Sequence, residues 1–190
     1  MSAWTGVVLA GGASRRMGRD KARLEIGGEA MARRAATALA AAGAAEVFCM
    51  GGDAGALSAL GIDVRPDEHP GEGPLGAVVT AIHLAAHDTV MVLACDVIEP
   101  APRAIAATVT ALEEDADADA AIPTDGRRLQ PLHAAYRRRC GPVLAGAFAE
   151  GERSIARVLS QLRLVTVTGV DPVALADADT PKDLPAGGGR

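Results

Sequence analysis

The chain has 190 residues, which is enough for one domain with a substantial core, read here as residues 1–186 with a frayed end at 187–190. It is 49% apolar and only 2% aromatic, so alanine and valine must build most of the core, with helices packed closely through small side chains. Lys and Arg number 19 against 24 Asp and Glu, a net charge of −5 that argues against a nucleic-acid-binding surface. Trp4 and Tyr136 add too little aromatic surface for stacking on bases. No apolar run reaches the roughly eighteen residues a membrane span needs, and residues 1–5 lack the blocks of a secretory signal. Cys49, Cys95 and Cys140 are odd in number and form no Cys-x-x-Cys pair. They are expected to be buried and reduced in a cytoplasmic protein.

In chain order, Val7-Val8-Leu9 is a short apolar run that reads as a buried strand. A loop follows from Ala10 to Lys21. Gly11 and Gly12 permit a sharp bend and a close backbone approach to a ligand, and the free N–H groups of such a loop favour anions. Arg15, Arg16 and Lys21 add full charges, and five basic residues fall between Arg15 and Arg23 of an otherwise acidic chain. A plain glycine turn with a solvated basic face has no use for that clustering, whereas a polyphosphate ligand has. No Gly-Lys-Ser/Thr follows Gly12 or Gly18, so this is not a Walker loop.

Leu24-Glu25-Ile26 with Gly27-Gly28 reads as an extended piece and a turn, and Ala30 to Ala42 as a helix. Glu46 to Met50 is a second buried strand ended by Gly51-Gly52-Asp53, Ala54 to Leu60 a short helix, and Ile62 to Arg65 a weaker strand. Pro66 to Pro74 holds three prolines and two glycines and reads as loop. Gly76 to His87 is a helix, Thr89 to Ala94 the strongest strand, and Pro102 to Glu114 a helix with proline in its first turn. Ala120 to Pro123 and Leu132 to Tyr136 are strands around a turn at Asp125-Gly126. Helices over Pro142 to Ala149 and Ser154 to Leu162, a strand at Leu164 to Val167, and a helix start at Thr180-Pro181 complete the chain.

Alternating strands and helices predict a three-layer α/β/α sandwich with a mainly parallel, Rossmann-like sheet. Ligands of such sheets bind beyond the carboxyl ends of the strands. The segments at those ends are the glycine loop, Gly51-Gly52-Asp53, Asp67, Asp96, and Asp177 to Asp179. Asp96 closes the most apolar strand, where a carboxylate is costly unless a cation meets it; a nucleotide-bound magnesium is one such partner, and a helix cap or salt bridge is the plainer alternative. Gly71 to Gly76 satisfies Gly-x-Gly-x-x-Gly, but Pro66 to Pro70 precede it and Pro74 lies inside it, so a dehydrogenase reading fails. His83 and His87 have helical spacing without a zinc-protease glutamate and read as structural. Glu113-Glu114-Asp115, with Asp117 and Asp119, reads as a solvated helix end.

Leu-Ala-Gly-Gly-x-Ser-Arg-Arg-Met-Gly-x-Asp-Lys, residues 9–21, resembles the signature loop of nucleotidyltransferases that make sugar nucleotides and cofactor dinucleotides. Gly11-Gly12 and Asp20 before Lys21 are most similar to the molybdenum cofactor guanylyltransferases. The resemblance implies transfer of GMP from GTP to the phosphate of molybdopterin or molybdenum cofactor, with release of pyrophosphate. It implies Lys21, Arg15 and Asp96 as catalytic groups and Leu9, Ala10, Gly11, Gly12, Gly51, Asp67 and Gly76 as further nucleotide contacts. Magnesium would be held by Asp96 and Asp179, the latter within Asp177-Ala178-Asp179-Thr180-Pro181, which is similar to the family's Asn-x-Asn-Thr-Pro element with Asp for Asn. Gln130 and Arg153 fall in segments that resemble those flanking the pterin-phosphate pocket, although Ser154 as a plain N-cap also explains the second segment. The family's proline two positions after the metal-binding aspartate is replaced by Ile98. Molybdoenzyme maturation proteins are the partners implied; nucleic acid and membrane are not. The alternatives are a cytidylyltransferase acting on the same pterin and a non-catalytic nucleotide-binding homologue. A sugar-phosphate enzyme would need insertions for which the chain has little room.

Overall fold

The structure is a computed structural model that describes residues 2–11, 21–178 and 183. The first apolar run starts earlier than expected, giving β1 (Trp4–Leu9) with every residue buried. A turn of 3-10 helix at Lys21–Arg23 leads into a hairpin, β2 (Glu25–Ile26) and β3 (Glu29–Ala30), turned by Gly27 and Gly28. Then come α1 (Met31–Ala41), β4 (Glu46–Met50), α2 (Ala54–Ala59), β5 (Val64–Arg65), α3 (Pro74–Leu84), β6 (Thr89–Ala94) and α4 (Pro102–Glu114). The last elements are β7 (Ala120–Pro123), β8 (His133–Arg137), α5 (Gly141–Ala149), α6 (Ile155–Val158) and β9 (Leu164–Val167). The helix start expected at Thr180 lies outside the described residues, as does the end at 187–190.

Among the described residues the main sheet has seven strands in the order β5-β4-β1-β6-β8-β7-β9. β1 lies parallel between β4 and β6, and β7 is parallel to β9, while β8 runs antiparallel to both its neighbours. The expected mainly parallel sheet is therefore observed, with β8 the exception.

Two cores lie on its two faces. Trp4, Val8, Met91 and Leu93 meet α1 and α4, while Val7, Leu9, Val90 and Val92 meet α3, α5 and α6. This alternation is what strands covered on both sides require. Helix approach does rely on small residues. The buried face of α1 is Met31, Ala32, Ala35, Ala36, Ala38 and Leu39, and Leu39 sits so close over Gly6 that a Cβ there would lie 3.0 Å from the Leu39 Cβ.

Two expected helices end three or more residues early, and one of them, α3, also begins two residues early, at Pro74 within the stretch expected as loop. α3 stops at Leu84 instead of His87, because side chains take over the next backbone groups. The Leu84 carbonyl accepts from Arg65 at 3.0 Å, and the Ala86 and His87 N–H groups donate to Glu46 and Thr5. α6 covers only Ile155–Val158 before passing into 3-10 helix, and Ser154 makes no side-chain cap bond. No helix among the described residues is long and apolar enough to cross a membrane.

Candidate active site

β1, β4 and β6 all end at one edge of the sheet, the side on which ligands of parallel sheets bind. β8 runs the other way, so its first residue arrives at that same edge. His133 lies opposite Leu93, and the Ala94 N–H donates to the Leu132 carbonyl at 2.8 Å. Two adjoining cavities open there. The first, of ≈ 340 Å³, is lined by Leu9, Ala10, Gly11, Lys21, Asp67 and Asp96, with Gly73, Pro74 and Leu132 among the rest of its wall. The second, of ≈ 650 Å³, shares Pro74, Ala94, Asp96 and Leu132 with it and extends over Gln130, His133, Ile155, Leu175 and Asp177.

Asp96 stands on the boundary between them. The cation that a carboxylate at the end of an apolar strand calls for is Lys21, whose Nζ lies 2.9 Å from Asp96 Oδ2. The two side chains are only 16% and 22% exposed, so the pair is shielded from water and holds both groups in place. Behind them, residues 96–98 run beside 176–178. The Ala178 N–H donates to the Asp96 carbonyl at 2.8 Å, Val97 bridges Asp177, and the Ile98 N–H donates to the Ala176 carbonyl at 2.9 Å. A proline at 98 would have no N–H for that last bond, so Ile98 is compatible with this pairing where the proline implied by the resemblance would not be. Leu24, Ile26, Met31 and Ala178 form a small apolar core beneath, with Ile98 against it. It ties the residues after Lys21 to the Asp96 loop.

The other expected contacts divide by position. Asp67 lines the first cavity, fixed by the His69 N–H at 2.9 Å and the Thr80 hydroxyl at 3.2 Å. Gly51 lies just behind the wall at φ +75°, where an added Cβ would be 2.7 Å from both the Cα and the N of Gly11. Gly76 is buried in α3 against His69 and Phe148 and is not on the cavity wall. Gln130 lines the second cavity and donates to Asp125 at 3.1 Å. Arg153 lies on neither wall. Its guanidinium stacks 4.2 Å from the Phe148 ring centre and donates to the Phe148 and Glu152 carbonyls and to Glu72. Gly12, Arg15 and Asp179 lie outside the described residues. His83 pairs with Glu68 and His87 with Thr5, so the two histidines do not act together.

Sequence reading passed over one residue on the second wall, His133, and gave another, Asp177, no role of its own. Asp177 is named there only within the Asp177 to Asp179 segment, with Asp179 as the metal ligand, whereas in the structure it is Asp177 that shares the second wall with Asp96 and whose segment pairs with that of Asp96. His133 was one position of a strand; the signal available was its place at the start of that strand, directly after Gln130-Pro131-Leu132.

Among the described residues no group of three or more His, Cys, Asp and Glu is placed to hold a metal. Asp96 and Asp177 do share the second cavity. Magnesium takes one or two carboxylates and completes its shell with phosphate oxygens and water, so this donor set fits an ion that arrives with a polyphosphate.

Comparison with known proteins shows the family and the fold. Residues 6–167 match the model of the MobA-like NTP transferase domain. The chain is 37% identical to a "probable molybdenum cofactor guanylyltransferase" of Pelotomaculum thermopropionicum, over 95% of this chain and 89% of that one. A protein of the same name from Chloroflexus aggregans is 34% identical over 95% of this chain and 91% of its own. Among solved structures, molybdopterin-guanine dinucleotide biosynthesis protein A from Archaeoglobus fulgidus superposes with a TM-score of 0.75, at 21% identity and 94% coverage of each chain.

Proposed function

We infer the chemistry from the family, since this chain belongs to the MobA-like NTP transferases and, within them, to the molybdenum cofactor guanylyltransferases. It transfers GMP from GTP to the phosphate of molybdopterin, metal-free or molybdenum-bound, and releases pyrophosphate. An oxygen of the acceptor phosphate bonds to the α-phosphorus of GTP. The bond from that phosphorus to the bridging oxygen of the β-phosphate breaks, and pyrophosphate leaves with the electron pair. The attacking phosphate is already ionised at neutral pH, so no strong base is needed. The protein has to align two anions and relieve their charge.

The observation that carries this reading is the Lys21–Asp96 pair at the boundary of two cavities. The first cavity takes the nucleotide, with Leu9, Ala10 and Gly11 at its wall and Asp67 at its rim. The sequence resemblance adds Gly12 and Arg15 to the phosphate-binding groups, and the positive charge of Lys21 would face the phosphates. The second cavity takes the acceptor, with Gln130 on its wall. Arg153 acts on the site by holding Glu72 and the turn at Gly73. Asp96 and Asp177, with Asp179 two positions further on in the sequence, would hold magnesium, which would supply neutralisation of charge at the α-phosphate. The catalytic unit takes in residues 1–186. Three buried cysteines suit a reducing cytoplasm, where maturing molybdoenzymes would receive the product.

The test is pyrophosphate release with molybdopterin and magnesium, comparing GTP, CTP and ATP. Release with GTP and not with the others is expected. Preference for CTP would make the chain a cytidylyltransferase, and nucleotide binding without release would make it a non-catalytic homologue.

A further inference from the structure

His133 is the polar group that this chemistry leaves unused. It is 4% exposed at the first position of β8, and both ring nitrogens are buried without a hydrogen-bond partner. An unsatisfied buried polar group costs about 1–3 kcal/mol, which folded proteins seldom tolerate without a reason. Nothing in the core asks for an imidazole here. Ala135, the next residue of β8 on the same face, is buried in the apolar core, and a leucine or phenylalanine at 133 would satisfy such surroundings.

Position supplies a reason. His133 lies on the wall of the second cavity, together with Val97, Leu129, Ile155, Leu159 and Leu175. Ten of the sixteen wall residues are apolar, and Asp96, Arg128, Gln130, Ser154 and Asp177 are the other polar ones, so the wall offers an apolar face to a flat organic ring and polar groups to fix its orientation. Burial pushes the His133 pKa down to about 4, so the ring is neutral at pH 7. A neutral imidazole offers one donor and one acceptor. It does not suit a phosphate, which calls for cations, but it matches the amide-like edge of an uncharged heterocycle, where donor and acceptor alternate. Both nitrogens are buried in the structure, so reading a ligand requires the ring to turn about its side-chain bonds.

We propose that His133 reads the uncharged heterocycle of the acceptor substrate, and so helps to set which acceptor this enzyme uses. The proposal rests on the guanylyltransfer reading and deepens it. The same wall places the ring beyond the shared residues Pro74, Ala94, Asp96 and Leu132, so that the acceptor phosphate reaches toward the nucleotide cavity.

The experiment is steady-state kinetics with GTP and molybdopterin on wild type, His133→Leu and His133→Asn, together with thermal melting. Loss of one buried hydrogen-bonded contact predicts an acceptor KM raised about tenfold or more in the leucine variant, with the KM for GTP within about twofold of wild type. Its melting temperature should be equal or higher, because an unpaired polar group has gone. Asparagine keeps a donor and an acceptor and should recover part of the acceptor affinity. An unchanged acceptor KM in His133→Leu, a parallel rise in both KM values, no recovery by asparagine, or failure of the leucine variant to fold would each overturn the assignment. If the wild-type protein itself does not turn over molybdopterin, it is the guanylyltransfer reading that fails, and the two failures are told apart at once.

Discussion

Lys21 and Asp96 stand 75 positions apart in the chain and meet at 2.9 Å. Each keeps the other's charge in place, and in the proposed mechanism this is where the donor and acceptor phosphates would be brought together. Removing one preorganised electrostatic contact of this kind costs about 2.7–4 kcal/mol in the transition state. Lys21→Ala and Asp96→Ala are each expected to lower kcat roughly 10²–10³-fold with the fold retained. Turnover and circular dichroism of the purified variants decide the point, and near-normal turnover would remove the residue from the mechanism. Gly51 tests the cradle differently. Its positive φ costs any other residue about 1–2 kcal/mol, and a methyl group there would run into Gly11. Gly51→Ala should therefore lower the melting temperature and raise the KM for GTP together, whereas Gly27→Ala, equally left-handed but with open space around it, should lower only the melting temperature.

The elements that a sequence shows best are those whose signal is local. Glu46 to Met50, Thr89 to Ala94, Ala120 to Pro123 and Leu164 to Val167 were legible to the residue, because each is an apolar run between breakers. The rule that ligands sit at strand ends likewise placed Asp67, Asp96 and Lys21 near one another. What was not legible depends on partners distant in sequence. The direction of β8 is set by β6 and β7, and only that direction brings His133 to the site. Whether a glycine in a helix faces a ligand or a neighbouring ring is equally non-local, so Gly76 looked no different from Gly11. The early stop of α3 belongs here too. Arg65 lies 4.0 Å from the Phe48 ring centre while bonding Glu46 and the Leu84 carbonyl, and so pins the edge strand β5 to β4 and to the end of α3. Arg65→Ala should cost about 1–3 kcal/mol of stability, read from urea denaturation, with little effect on either KM.

The molecule as a whole should be sensitive to acid. At Glu46, burial alone would raise the pKa, but the Ala86 N–H, Arg65 and Thr5 outweigh it and hold the carboxyl below its usual range. Its contribution is present above the ordinary carboxylate pKa and is lost as pH falls through the folded value. His133 acts in the same direction for the opposite charge reason. The unfolded chain takes up its proton near pH 6.5, the folded chain only near pH 4, so stability drains away across that window by about 3 kcal/mol. Urea midpoints followed from neutral pH downward should fall, and His133→Leu should flatten the part of the curve between those two values. Thiol chemistry should be silent by comparison. Burial, with the nearby Asp119 charge, pushes Cys140 up to about 12, and Cys49 and Cys95 are also buried, so native protein should resist thiol-reactive dyes that label it once unfolded.

The reversed strand has one more consequence. Because β8 enters the sheet from the ligand side, the connection feeding it is itself wall: Arg128 to Leu132 border the second cavity, and of these only Leu132 reaches the first. That connection is braced from within, by Asp125 accepting from the Arg127 and Arg128 N–H groups and by the Tyr136 hydroxyl donating to the Pro131 carbonyl at 2.7 Å. It amounts to a self-supporting cassette. Exchanging it for the equivalent hairpin of a relative with a different acceptor should transplant the choice of acceptor while the grip on GTP stays behind.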